Sequence, residues 1–204
     1  MGLTLKEKEK FLRNRKQVRK IILQEVKKEK GIIFGARAVN KQIPKHLRVP
    51  TEDYDILTEG DPKKLANRIE KRLDKRFGGN FYSVSQAQHE GTEKIRNNLS
   101  GKGVADLSKR KDKVPFIKKK GVKFAKLKFQ EKKIRESLAN PEAKFRHQKD
   151  RFTRDRIKLA RQHKEELRKK RKSKIKKGRR LKTNFSGLSS RVGLSRSKFM
   201  RLGL

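Results

Sequence analysis

Two aspartates at alternate positions, Asp53 and Asp55, sit in an apolar run reading Asp-Tyr-Asp-Ile-Leu. In an extended strand, residues i and i+2 project to the same side. Both carboxylates then face one spot, which costs free energy unless a cation lies between them. Magnesium is the natural candidate, because it takes carboxylate oxygens and leaves room for substrate phosphates. A third acid, Asp106, stands in a comparable frame, Gly-Val-Ala-Asp-Leu-Ser. Three carboxylates on neighbouring strands make a two-metal site for phosphoryl transfer. In so basic a chain, an Asp-x-Asp pair also serves as an ordinary ion-pair partner for nearby Lys and Arg, and that reading stands beside the first.

The elements that must position these acids follow from punctuation and period. Gly31 to Ala36 is a short apolar run closed by Gly35, with a helix-like stretch after it. The Asp53–Leu57 run lies between Pro50 and Gly60-Asp61-Pro62 and reads as a strand. Leu65, Ile69 and Leu73 have helical spacing, with Asp61 as N-cap, Pro62 at the first helical position and Gly78-Gly79 as the stop. The stretch from Phe81 to Ala87 alternates as a half-buried strand does. Two further runs flank Ser100-Gly101-Lys102-Gly103, a hairpin turn that leads into Asp106. Gly121 to Phe129 reads as a final strand, followed by a helix with Ile134 and Leu138 on its inner face and an end near Asn140-Pro141. The fold class is α+β: a small mixed sheet with helices, a helical N-terminal flank and a long basic C-terminal extension.

This arrangement resembles the nucleotidyltransferase superfamily, which includes DNA polymerase beta and the poly(A) polymerases. The family pattern is a strand ending in Gly-Gly or Gly-Ser, a helix, Asp-hydrophobic-Asp-hydrophobic, and a later strand with one more acid. Gly35-Ala36, Asp53-Tyr54-Asp55-Ile56 and Val104-Ala105-Asp106-Leu107 fill those places in order. Arg48 and Thr51 precede the acids as in relatives reading Arg-x-x-Thr-x-Asp. The resemblance implies that Asp53 and Asp55 hold magnesium, with Asp106 a third metal-site acid that helps activate the attacking hydroxyl. It also implies that the backbone around Gly35, Ala36 and Arg37 cradles a triphosphate. This sequence departs from the pattern in having Ala36 where Gly or Ser is usual, the bulky Arg37 next to it, and a long segment with Pro44 and Pro50 before Asp53. An active domain and a degenerate, non-catalytic one are both open on these residues. Arg37 as a structural partner of the acids is open too.

Charge sets the partner. The 204 residues include 62 Lys and Arg against 22 Asp and Glu, a formal charge of +40. Charge that dense repels itself in the compact state, and phosphate backbones neutralise it with release of counterions. Nucleic acid is therefore the expected partner, bound largely without sequence preference. Apolar residues are only 31% of the chain, too few for a core through its whole length. We expect an amphipathic basic helix over 1–30, an α/β domain over 31–140, a long basic helix over 141–180 and a Gly/Ser/Arg-rich tail over 181–204. The tail is expected to be disordered alone and ordered on a partner. The helix carries an acid-free run with Arg168, Lys169, Lys170, Arg171, Lys172, Lys174, Lys176, Lys177, Arg179 and Arg180 as phosphate contacts.

The chain has no cysteine, which excludes disulfides and thiolate zinc sites. No apolar run approaches the roughly 18 residues of a membrane span, so no membrane partner is expected. An intracellular location, in a nucleus or a virion, fits this composition. The sequence favours a binding protein that acts in packaging or assembly of a nucleoprotein particle, such as a virion, alongside other proteins. The alternative is a magnesium-dependent enzyme adding nucleotides to a nucleic-acid acceptor.

Overall fold

The structure is a computed structural model; it describes residues 5–87 and 90–191, with side chains over 15–87, 90–173 and at 175. Among the described residues there are five α-helices and seven strands. In chain order they are α1 (Leu5–Lys28), β1 (Ile32–Ile33), α2 (Gly35–Asn40), β2 (Tyr54–Thr58), α3 (Pro62–Phe77), β3 (Tyr82–Gln86), β4 (Thr92–Asn97), β5 (Gly103–Lys109), β6 (Phe116–Lys119), β7 (Val122–Ala125), α4 (Leu127–Ala139) and α5 (Lys144–Arg191). By internal contacts the chain divides into two units, Met1–Ile157 and Lys158–Leu204. The first holds the sheet; the second begins within α5.

The strands form one sheet in the order β3-β4-β5-β2-β1-β7-β6. It is mixed: β2 runs parallel to β5 and β1 parallel to β7, while the other neighbours are antiparallel. Period-two alternation sorts the side chains into two faces. Ile33, Tyr54, Ile56, Ala105, Leu107 and Phe124 pack with Ile22 and Val26 of α1 and with Leu65, Ile69 and Leu73 of α3. Burial of these side chains at helical and strand periods is what holds the two layers together. The opposite face has a thinner cover, in which Ile32, Ala125 and Leu57 meet Phe129 of α4. Asp55 and Asp106 belong to this second face, since their strand neighbours Tyr54, Ile56, Ala105 and Leu107 fill the first.

Local signals hold in detail. The Asp61 side chain accepts from Lys63 N at 2.8 Å, and Gly78 closes α3 in the left-handed conformation. The turn before β5 is organised by Asn97, whose Oδ1 accepts from Leu99 N and Ser100 N at 3.1 and 3.0 Å. Ile21, Ile22 and Val26, with Val18 partly buried beside them, form the stripe expected of α1. Leu5, Phe11 and Leu12, from the same stripe, and the Thr4 cap lie outside the described residues or side chains.

Two expectations change. Gly121–Phe129 is not one strand: β7 stops at Ala125, and Leu127 and Phe129 belong to α4. Lys126 is extended there, and its carbonyl takes the amides of Phe129 and Gln130 at 3.0 and 3.2 Å, which starts the helix. The lysine-rich β6, unassigned from sequence, pairs on the outer edge of the sheet, where exposed side chains mask any alternation. Helix α5 runs to Arg191, through Gly178 and Gly187. Each glycine costs only about 1 kcal/mol inside a helix, so such a run need not break there. Residues 192–204 lie outside the described residues.

Candidate active site

The acids are brought together by strand register. Asp55 on β2 pairs directly with Asp106 on β5, and Asp106 pairs in turn with Lys94 on β4. Lys94, Asp106 and Asp55 therefore form one line across three strands. Asp53 precedes the first residue of β2, and its carbonyl accepts a hydrogen bond from Arg37 Nε. Its carboxylate still acts on Asp55. Burial, then Asp53, then Asp106 push the Asp55 carboxyl from 3.8 up to about 6, while Lys149 and Arg146 pull it back. Buried Asp106 Oδ1 has no hydrogen-bond partner. Lys94 Nζ stands 3.6 Å from it, close enough for ionic attraction and too far for a hydrogen bond.

Gly35 fits its place for a steric reason. It has φ +61°, and a Cβ there would lie 2.0 Å from Asp55 Oδ2. A side chain would push the Asp55 carboxylate away and strain the backbone at once. The neighbouring Phe34 amide donates to the Asp55 carbonyl at 3.0 Å, which locks the end of β1 to β2. The Gly35 amide itself donates to Gln130 Oε1 at 3.3 Å.

Arg37 is engaged in the fold. Its guanidinium donates to the carbonyls of Thr51, Glu52 and Asp53 and lies 3.7 Å from the centre of the Tyr54 ring. Burial lowers its pKa, and Tyr54, Asp53 and Asp55 act in the opposite direction. It thus fastens the segment that delivers Asp53 and Asp55 to the sheet, a structural use of a residue expected to meet triphosphate.

A cleft of about 620 Å³ opens over Asp55, Gly35 and Ala36. Its far wall comes from α4 and the first turns of α5. Three cations line it, Lys133, Arg146 and Lys149. So do three buried polar atoms without hydrogen-bond partners: Gln130 Nε2, Ser137 Oγ and Asp150 Oδ2. Unpaired buried polar atoms are costly, and a ligand that pairs them regains that free energy. Sequence reading missed this wall entirely. Gln130, Asp150 and the cations are unremarkable in a Lys- and Gln-rich stretch, and no spacing rule marks residues that converge through a helix–helix connection.

The basic residues expected to meet phosphate form a separate group. Arg168, Lys169, Lys170, Arg171 and Lys172 are exposed on α5, and among the described residues they make no ion pair. Lys174, Lys176, Lys177, Arg179 and Arg180 continue the helix, with side chains outside the described set.

Carboxylate oxygens are the ligands magnesium takes, and Asp106 Oδ1, which has no hydrogen-bond partner beside Asp55, fits one. Among the described residues no three His, Cys, Asp or Glu side chains group closely enough to hold a metal on their own. An ion here would rest on Asp55 and Asp106, with water and substrate phosphate completing its shell.

No model of a protein family matches the sequence, and no curated protein matches it. Among solved structures, the chain is similar to the crystal structure of the Megavirus polyadenylate synthase. The identity is 17%, the TM-score 0.62, and the match covers 72% of this chain and 31% of that one. Two Helicobacter pylori structures overlap more loosely. JHP933 matches at 14% identity and TM-score 0.40, over 70% of this chain and 61% of its own. A nucleotidyltransferase matches at 16% identity and TM-score 0.38, over 64% and 60%. The chain spans about a third of the Megavirus protein's length, and at such identities likeness shows the fold alone. Gly35 closing β1 against Asp55, and Asp55 paired with Asp106 on a parallel strand, agree with that likeness: the chain has a nucleotidyltransferase-like fold.

Proposed function

We propose that this chain is a magnesium-dependent nucleotidyltransferase acting on a nucleic-acid acceptor held by its basic surfaces. One observation carries the reading: Asp55 and Asp106 are held side by side, without hydrogen-bonded cations, beneath a cleft lined by Lys133, Arg146 and Lys149 as well as Glu136, Glu142 and Asp150, with polar atoms that lack hydrogen-bond partners. Such a pair costs stability and is retained where a cation is recruited. The cleft volume lies in the usual range for small-ligand sites. In this reading, Lys133, Arg146 and Lys149 face the triphosphate. Asp106, 3.6 Å from Lys94, takes the proton of the acceptor hydroxyl. The hydroxyl oxygen bonds to the α-phosphorus, and the bond to the leaving pyrophosphate breaks. Magnesium bound at Asp55 and Asp106 would neutralise the charge that develops on the phosphate oxygens. Arg168 to Lys172 and the rest of α5 add phosphate contacts with little sequence preference.

A second reading has its own support. The Gly35 amide is already engaged by Gln130, Arg37 by the backbone, and Asp106 by Lys94. A domain so filled suits a scaffold without turnover, serving packaging or assembly of a nucleoprotein particle such as a virion. Among the described residues no helix is long and apolar enough to cross a membrane.

Incubation of the full chain with magnesium, labelled nucleoside triphosphates and an RNA or DNA acceptor separates the two. Incorporation that disappears in Asp55→Asn supports the enzyme. No incorporation by the unaltered chain, with nucleic-acid binding intact, supports the scaffold.

A further inference from the structure

A groove of about 620 Å³ lies between α1 and the β6–β7 hairpin. It shares no residue with the cleft over Asp55. Six cations line it: Arg19, Lys20 and Lys27 from α1, Lys41 just after α2, and Lys119 and Lys120 at the hairpin. No carboxylate lines it. The groove is built rather than incidental. Lys119 Nζ donates to the Lys41 carbonyl, which ties the hairpin to the end of α2. A Cβ at Gly121 would meet Lys27 Cε at 2.7 Å, so the hairpin tip closes directly on α1. Lys120 is held at φ +51°, a conformation uncommon for a residue with a side chain.

Contrast the face of α1 that meets α3. There Glu25 and Glu29 pair with Arg68, Arg72 and Lys28. Acids are thus available on this helix, and they are placed away from the groove. Folding crowds like charges in the groove with nothing to offset them. Lys41 has its pKa lowered, first by burial and then by Arg19, Arg48, Lys119 and Lys120. A row of anions is the missing counterpart. The apolar strip of Leu23, Val122 and Phe124 between the cations offers a surface for bases or sugars.

We infer that this groove is a second polyanion site, which takes the phosphate backbone of a single-stranded nucleic acid. It deepens the proposed function by locating the acceptor strand, yet it stands without catalysis. Lysine and arginine neutralise phosphates and release counterions, which gives a salt slope of about 0.7 per phosphate on single strands.

The test uses the full chain and a fluorescent uridine oligonucleotide, without magnesium or nucleotide, titrated across salt. Substituting Arg19→Gln, Lys41→Gln and Lys120→Gln together should lower the slope by about 2 and weaken binding about 100-fold near 0.1 M salt. Removing like charges should leave folding intact, which a melting curve checks. A charge-keeping set, Arg19→Lys, Lys41→Arg and Lys120→Arg, should retain the slope. Lys63→Gln, Lys64→Gln and Lys75→Gln on α3 provide the control for lost net charge. An effect of the groove set no larger than that control overturns the inference and leaves α5 as the contact. So does loss of binding to phosphatidylserine vesicles with oligonucleotide binding unchanged, which would mark a membrane surface. Asp55→Asn should not move this readout, so failure of the transferase reading and failure of the groove are separately visible.

Discussion

Glu25 and Asp55 are both carboxylates drawn into the first unit, and their surroundings are opposite. The Glu25 side chain is 1% exposed and is held by Arg68 at 2.7 Å, Lys28 at 3.3 Å and Arg72. Burial alone would raise its pKa, and the hydrogen bonds from Arg72, Arg68 and Lys28 outweigh that and lower it. Among the described residues Asp55 has no such partners. Burial and two neighbouring acids leave it at about 6. A compensated buried charge joins two helices; an uncompensated one marks a place where a cation and a substrate can supply what the protein omits.

The sharpest way to break this contrast is activity. Asp55→Asn combined with Asp106→Asn should reduce nucleotide incorporation by about 1000-fold or more, because the charge that stabilises the transition state is lost. Glu25→Gln should leave incorporation per folded molecule nearly unchanged. Equal losses in both variants would dissolve the distinction.

Next in size is an effect of opposite sign on stability. Between 3.8 and about 6, native Asp55 holds a proton that the unfolded chain releases, so stability falls as pH rises through that window. Asp55→Asn should then stabilise the metal-free protein by about 2 to 3 kcal/mol at neutral pH, with the gain gone below about pH 3.8. Urea melts at several pH values measure it. A destabilised Asp55→Asn at neutral pH would place Asp55 with Glu25.

Glu25→Gln should cost about 2 kcal/mol at neutral pH, less than a fully buried pair because Arg68 and Arg72 are partly exposed. Its stabilisation is present above 4.5 and is lost as pH falls through the lowered folded value. The same melts check this sign. The smallest expected change is at Lys94. Lys94→Gln should alter stability by less than about 1 kcal/mol, since the pair with Asp106 is part-exposed and long. It should lower incorporation by less than the aspartate substitutions do, because Lys94 acts only through Asp106. Unaltered incorporation would remove Lys94 from the site.

Much of this was legible in local chemistry. Asp61, Pro62 and Gly78 bound α3 because caps act within one turn. The glycine strand and the strand frames of Asp55 and Asp106 were readable because side-chain period and residue type survive without tertiary knowledge. The wall of the cleft was not. Gln130, Lys133, Arg146, Lys149 and Asp150 carry no spacing that distinguishes them from their helical neighbours. The partners of Arg37 were hidden for a similar reason: only the return of Thr51, Glu52 and Asp53 brings their carbonyls within its reach.

By itself, then, the sequence determined a basic chain with strands and helices in a particular order and with acids at alternate positions, since charge, caps and period are properties of neighbours along the chain. Tertiary structure alone decided that Asp55 stands opposite Asp106, that Lys94 completes the line, and that six cations share one groove without an acid. Strand register and helix packing join residues far apart in sequence, and the free energies of bringing charges together exist only once those distances are set.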